Sequence, residues 1–147
     1  MGNLNLEPDK SRSCGPADML RDASVLLSWK RCYSGQRSKD GICEVWVEES
    51  AVRIIGDAAV NEASRRKLPL HLEIRNHSPT GFEWGYGGSG PAQLALALLV
   101  DALGDAELAQ THYQNFKRTV VSCWANSWTV TAKEICEFVA ARSKGAH

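Results

Sequence analysis

The chain has no long apolar run, no clustered cysteines and no excess of either charge, and each lack closes off a class of protein. Its longest unbroken apolar stretch, Leu94 to Val100, is far short of the roughly 20 residues that cross a bilayer. Lysine plus arginine number 17 and aspartate plus glutamate number 17. Such a chain is not built as a whole to neutralise phosphate, although a local basic patch is compatible with the balance. The five cysteines, Cys14, Cys32, Cys43, Cys123 and Cys136, are scattered and contain no CxxC pair. Asn3, Asn5, Glu7, Asp9 and Lys10 interrupt any secretory-type apolar segment. The expectation is a cytoplasmic protein with reduced thiols and no membrane association. His71, His77 and His112 match no standard zinc spacing, so no metal and no cofactor is expected.

What is present is enough for one globular unit. A length of 147 residues with 44% hydrophobic composition can bury a core without staples. Residues 1–16, with Gly2, Pro8, Gly15 and Pro16, read as a flexible N-terminal tail, and residues 17–145 as a single domain. Residues 17–30 suit either a short helix or the entry to a first strand. Alternation from Ile42 to Glu49 predicts a strand, and Ala51 to Ile55 a second, joined as a hairpin at Glu49-Ser50. Asp57 to Lys67 is polar and alanine-bearing, a loop or one helical excursion. Leu68 to Ile74 is the next strand candidate, with Pro69 confining its start to an edge.

Helical signals dominate the second half. Pro91 suits the first position of a helix running to Leu103, apolar all round except for Gln93 and Asp101. Gly104 ends it, and Asp105 is a natural N-cap for a helix from Ala106 to about Cys123. Trp124 and Trp128 flank a polar break, and Thr131 with Glu134 forms a capping box for a last helix. Strands first and three helices after make an α+β fold: a small antiparallel sheet of about three or four strands, packed against the helices, with a glycine-rich loop opening a buried central helix.

That glycine loop carries the sharpest motif. Gly85, Gly87 and Gly90 match GxGxxG, but a second helix stands where a dinucleotide fold needs a strand. The spacing of Gly85 and Gly90 also fits a phosphate loop, yet Pro91-Ala92 replaces its Lys and Ser or Thr. Two readings stay open: backbone amides that receive an anion, or glycines that let Trp84 and Tyr86 pack. Candidate ligand or partner residues are Arg75, Asn76, His77, Glu83, Trp84, Tyr86, Gly87, Gly88, Ser89 and Gly90. No GxSxG elbow accompanies Arg75, His77 and Glu83, so no catalytic residue is assigned. A candidate basic patch, Lys30, Arg31, Arg37 and Lys39, has Trp29 and Tyr33 interleaved, an arrangement that would support stacking on a single strand of nucleic acid.

The block Asn76-His77-Ser78-Pro79-Thr80-Gly81-Phe82-Glu83-Trp84-Gly85-Tyr86-Gly87-Gly88-Ser89-Gly90-Pro91-Ala92-Gln93-Leu94-Ala95-Leu96-Ala97-Leu98-Leu99 resembles an uncharacterised family of small domains from bacteria, phages and mobile elements. The resemblance runs from about Lys30 to the last helix. It implies genomic context and no mechanism. With it, the leading expectation is a non-enzymatic protein-binding accessory or inhibitor. Its most concrete form is an anti-CRISPR-like anti-defence protein docking on a host nucleic-acid-processing complex. A small-ligand or nucleotide-recognising domain using Gly85 to Gly90, binding only or enzymatic, and a direct nucleic-acid binder are the alternatives.

Overall fold

Alternating side chains and two tight turns organise the first half of the molecule. In the computed structural model, which describes residues 25–144, strand β1 (Val25–Arg37) turns back into β2 (Cys43–Ile55). The Ser38 hydroxyl holds this turn by accepting the N–H groups of Asp40 (3.2 Å) and Ile42 (3.1 Å), and Gly41 supplies the positive φ of 83° that the bend needs. Gly56, at φ 64°, then turns β2 into β3 (Ala58–Lys67). A fourth strand, β4 (Ser127–Thr131), pairs with the opposite side of β1, giving an antiparallel sheet in the order β3-β2-β1-β4.

Three helices cover one face of this sheet: α1 (Ser89–Leu103), α2 (Ala106–Thr119) and α3 (Ala132–Lys144). Tyr33, Val45, Val47, Trp128 and Val130 project from the strands into the shared core. Leu94, Ala95, Leu96, Ala97, Leu98 and Leu99 of α1 are all without solvent exposure. Such a helix has no polar stripe and must sit centrally. Each fully buried leucine there contributes about 1.5–3 kcal/mol.

The expected helix-end signals are present, although α2 stops at Thr119, short of Cys123, and a 3₁₀ turn over Val121–Cys123 follows it. Gly104 adopts φ 67° and returns its N–H to the Val100 carbonyl at 2.9 Å. Asp105 accepts the Leu108 N–H at 3.1 Å. Thr131 and Glu134 exchange reciprocal capping bonds of 2.9 and 3.0 Å. Pro91 is the third helical residue, not the first, and its missing N–H costs nothing there either, because the first intrahelical bond runs from Ala92 to Gly88.

Four local expectations are corrected. Glu49-Ser50 is no hairpin turn, since β2 runs unbroken through it. Residues 57–67 are mostly strand, not loop or helix: β3 is an edge strand whose mainly polar side chains pair across to β2, so no hydrophobic alternation marks it. Residues 68–74 form no strand. Leu68 donates the last ladder bond to the Val45 carbonyl at 3.1 Å, and beyond Pro69 the chain is held by Gln93 of α1, which donates to the Leu70 and Arg75 carbonyls. The segment at Trp128 is β4, admitted because Gly35 has no side chain: a Cβ there would lie 2.3 Å from the Trp128 ring. The expected tail, residues 1–16, lies outside the described residues. Of the ambiguous residues 17–30, those from Val25 onward are strand and the others lie outside the described residues.

Candidate functional site

The polar block before α1 is knitted together by one buried side chain. Gln93 is completely buried. Its carbonyl accepts the N–H groups of His77 (2.6 Å) and Ser78 (3.0 Å), and its amide donates to the carbonyls of Leu70 (2.7 Å) and Arg75 (3.0 Å). That uses the whole hydrogen-bonding capacity of a glutamine on four loop backbone groups.

The expected site residues then diverge. Arg75 donates to Gln110 at 3.1 Å, His77 shares a 2.7 Å hydrogen bond with the Tyr113 hydroxyl, and Glu83 pairs with Arg37 at 2.6 Å. These three meet separate partners rather than a common point. Asn76, Tyr86, Gly87 and Ser89 are exposed, Gly88 is half-buried, and Gly90 is buried. His71, at φ 57°, is the one non-glycine residue among those described with a left-handed backbone.

Packing explains much of the glycine loop. The Gly85 N–H is spent on the Val121 carbonyl at 3.1 Å, and at φ 89° a Cβ would meet the Trp124 carbonyl at 3.0 Å. A Cβ on Gly90 would lie 2.6 Å from that of Glu83. Trp84 is buried, donates its indole N–H to the Ala125 carbonyl at 2.7 Å and meets Trp128 edge-on at 5.6 Å. Arg37 lies 5.0 Å over the Trp84 ring, pairs with Glu83 and donates to the Trp84 carbonyl at 2.9 Å. Partial burial works against the Glu83 charge, but Arg37 and the Trp84 backbone hold its carboxyl below the usual range. Burial pushes the nearby Cys43 thiol up, the opposite of what a nucleophile needs.

The four cations of the expected basic patch do not share a surface. Strand alternation puts Lys30 on the uncovered face of the sheet, with Arg31 and Arg37 on the helix side and Lys39 in the first turn. Arg31 belongs to a network that sequence reasoning missed. It is paired with Glu49 and donates to the Asp101 carbonyl at 3.0 Å and to its carboxylate at 3.4 Å. Tyr33 donates to the same carboxylate at 2.6 Å, and Arg66 reaches it at 2.9 Å. Burial, reinforced by the Asp101 charge, pushes the Tyr33 hydroxyl far above its ordinary pKa. Burial opposes the Arg31 charge, yet Tyr33, Asp101 and Glu49 outweigh it and raise its pKa further. The signal was available: Gln93 and Asp101 are the two polar residues noted in an otherwise apolar helix.

Two concavities lie away from the glycine loop. One, of about 500 Å³, sits on the uncovered sheet face between Lys30, Cys32, Glu48, Ser50, Ala63 and Arg65. Beside it is Trp46, with the Arg65 guanidinium 3.9 Å and the Lys67 ammonium 4.8 Å from its ring centre. Arg65 pairs with Glu48 at 3.2 Å and Lys67 with Glu44 at 3.4 Å. In the sequence Arg65 and Lys67 stand out only as part of the short basic run Arg65-Arg66-Lys67, and Trp46 joins them only once residues 58–67 are a strand. The other, of about 770 Å³, lies between β1 and α3 and is lined by Trp29, Arg31, Ala132, Cys136, Glu137 and Ala140 among others. Among the described residues, Cys32, Cys43 and Cys123 are free thiols. Among the described residues, no helix is long and apolar enough to cross a membrane.

Neither a curated protein nor a solved structure matches the chain. A family model does match, over residues 33–141, from the middle of β1 to near the end of α3 and across the whole glycine block. The chain therefore belongs to a family of unknown function, DUF6166.

Proposed function

We propose that the protein is a non-enzymatic protein-binding module that docks through the uncovered face of its sheet. The observation that carries this reading is the Trp46 cluster: an aromatic ring with Arg65 3.9 Å above it, next to a concavity of about 500 Å³. A solvated face is ordinary for an antiparallel sheet, so exposure alone carries nothing. Tryptophan and arginine, however, are the residue types that most often dominate binding energy, and they do so beside pockets that take a partner's side chain.

Charge selects the partner. Lys30, Arg65 and Lys67 on this face are offset by Glu44 and Glu48, two of them directly ion-paired. A surface bearing both signs complements a protein surface better than a polyanion, which would lose the attraction of cations already engaged. An accessory or inhibitor docking on a larger host complex, including the anti-defence form, is one version of this reading.

The test is capture from nuclease-treated bacterial lysate by the tagged full chain, compared with Trp46→Ala, Arg65→Glu and, as a remote control on α2, Arg118→Glu. A stoichiometric protein is expected with the wild type and the control and is lost with the two open-face variants, all four proteins having the same far-UV spectrum. Capture indifferent to Trp46 and Arg65 overturns the reading. Capture that vanishes on nuclease treatment transfers it to nucleic acid.

A further inference from the structure

The make-up of the open-face concavity narrows what can enter it. Register places Lys30, Ser50 and Ala63 side by side in one row across β1, β2 and β3, and Cys32, Glu48 and Arg65 in the next. Residues opposed across antiparallel strands share a face, so both rows project to the open side. The short side chains of Ser50 and Ala63 leave a gap, and the long ones of Lys30, Glu48 and Arg65 stand around it. Arg65 is fixed from two directions. It pairs through Nε with Glu48 at 3.2 Å, and its guanidinium lies 3.9 Å from the centre of the Trp46 ring. Its remaining N–H groups sit on the terminal nitrogens, and a side chain held in this way loses less freedom when a ligand arrives. The charge around the gap sums to one positive, because Lys30 and Arg65 are opposed by Glu48 alone. Glu49 also borders the concavity, but its carboxylate is paired with Arg31 on the covered side.

We infer that this pocket receives a single carboxylate, the side chain of a glutamate or aspartate presented by the partner protein, seated over Ser50 and Ala63 between the Lys30 ammonium and the terminal nitrogens of Arg65. The inference rests on the open-face reading and names the chemistry that reading leaves open. Hydrogen bonds to an ionised acceptor are about twice as strong as neutral ones, and the Ser50 hydroxyl is a further donor at the floor. An amide of the same shape brings no charge to set against the cations. A phosphate dianion brings one charge too many beside Glu48, and a basic side chain meets Lys30 and Arg65 head-on.

The test has two parts, each run on the full chain and on Lys30→Gln and Ala63→Leu, two exposed positions whose variants should keep the far-UV spectrum. The second variant fills the gap without altering any charge. In the first part, amide signals of the isotope-labelled protein are followed by NMR during titration with N-acetylglutamate α-amide, with its glutamine counterpart and with inorganic phosphate, all at one ionic strength. Expected is saturable movement at Lys30, Ser50 and Ala63 with the glutamate probe, at least about tenfold weaker with the glutamine probe and in both variants. No saturable movement, equal affinity for the two amino-acid probes, tighter binding of phosphate, or binding unaltered in the variants would each overturn the inference. In the second part, capture from nuclease-treated lysate is repeated with the same variants, and each should weaken it at least about tenfold. Capture that requires Trp46 and Arg65 but ignores Lys30 and Ala63 leaves the open-face reading standing and removes the acidic side chain from it. Capture indifferent to Trp46 and Arg65 removes both.

Discussion

The two faces of the sheet use the same side chains to opposite ends. On the covered face Arg31, Arg66 and Tyr33 converge on Asp101, whose side chain is only 11% exposed. On the open face Arg65 and Lys67 flank Trp46, and the Arg65–Glu48 pair is about half exposed at both ends, 54% and 55%. Arginine, a carboxylate and an aromatic ring occur in both places. What differs is water. Where water is excluded, removing one partner strands the others. Where it is present, the charges are individually dispensable and their value lies in what they can meet. The difference separates residues that build this domain from residues available to work for it.

The strongest way to break the comparison is Asp101→Ala. It leaves two guanidinium groups and a buried hydroxyl without their shared acceptor, and it also removes a carboxylate from the last turn of α1, where Arg31 and Arg66 compensate the helix dipole. Breaking a buried ionic group costs 3–5 kcal/mol in general. About 3 kcal/mol is expected here, because Arg31 keeps Glu49 and Arg66 is partly solvated. Denaturant titration would show it as a fall in midpoint at unchanged slope. A loss below about 0.5 kcal/mol would make the two faces equivalent.

This contrast also explains what could be read from the sequence and what could not. The α+β class, the buried helix, its Gly104 end, the Asp105 cap and the Thr131–Glu134 box all follow from local chemistry, and local chemistry is what a sequence displays. Strand β3 escaped because an edge strand stabilised by cross-strand ion pairs has no hydrophobic period to detect. Strand β4 escaped because its Trp128 depends on a glycine, Gly35, distant in the chain. The candidate site went the same way. Arg75, His77 and Glu83 are neighbours in sequence, but Gln93 folds the segment so that their side chains part. Trp46 and Arg65 become neighbours only through the register of β2 with β3.

A second, smaller effect sharpens the electrostatic side of the contrast. Burial and Asp101 raise the pKa of Tyr33 in the folded protein, while an unfolded tyrosine ionises near pH 10. Above that pH the unfolded chain has lost a proton that the folded one retains, so stability is complete below about pH 10 and declines as pH rises beyond it. Unfolding measured from pH 8 to 11 should show a steeper alkaline decline for the wild type than for Tyr33→Phe. Tyr33→Phe should itself cost about 1.5 kcal/mol at neutral pH for the lost bond to a carboxylate. Parallel alkaline limbs would mean that water reaches the covered network.

The smallest effect is the most informative about the open face. Arg65→Ala removes an ion pair with Glu48 and a cation from the Trp46 ring, both in contact with solvent. The pair is worth about 0–1 kcal/mol, and at these exposures salt screening brings it to the lower end. The stacked guanidinium adds about 0.5 kcal/mol. The total should fall under about 1 kcal/mol and shrink further in 0.5 M salt, whereas the Asp101→Ala deficit should barely move. If Arg65→Ala costs as much as Asp101→Ala, the Trp46 cluster is a structural element of the β2–β3 hairpin and is not held in reserve for a partner. If it costs almost nothing while capture of a partner is lost, the open face is functional surface, because stability then gives no reason for an arginine to stand over that ring.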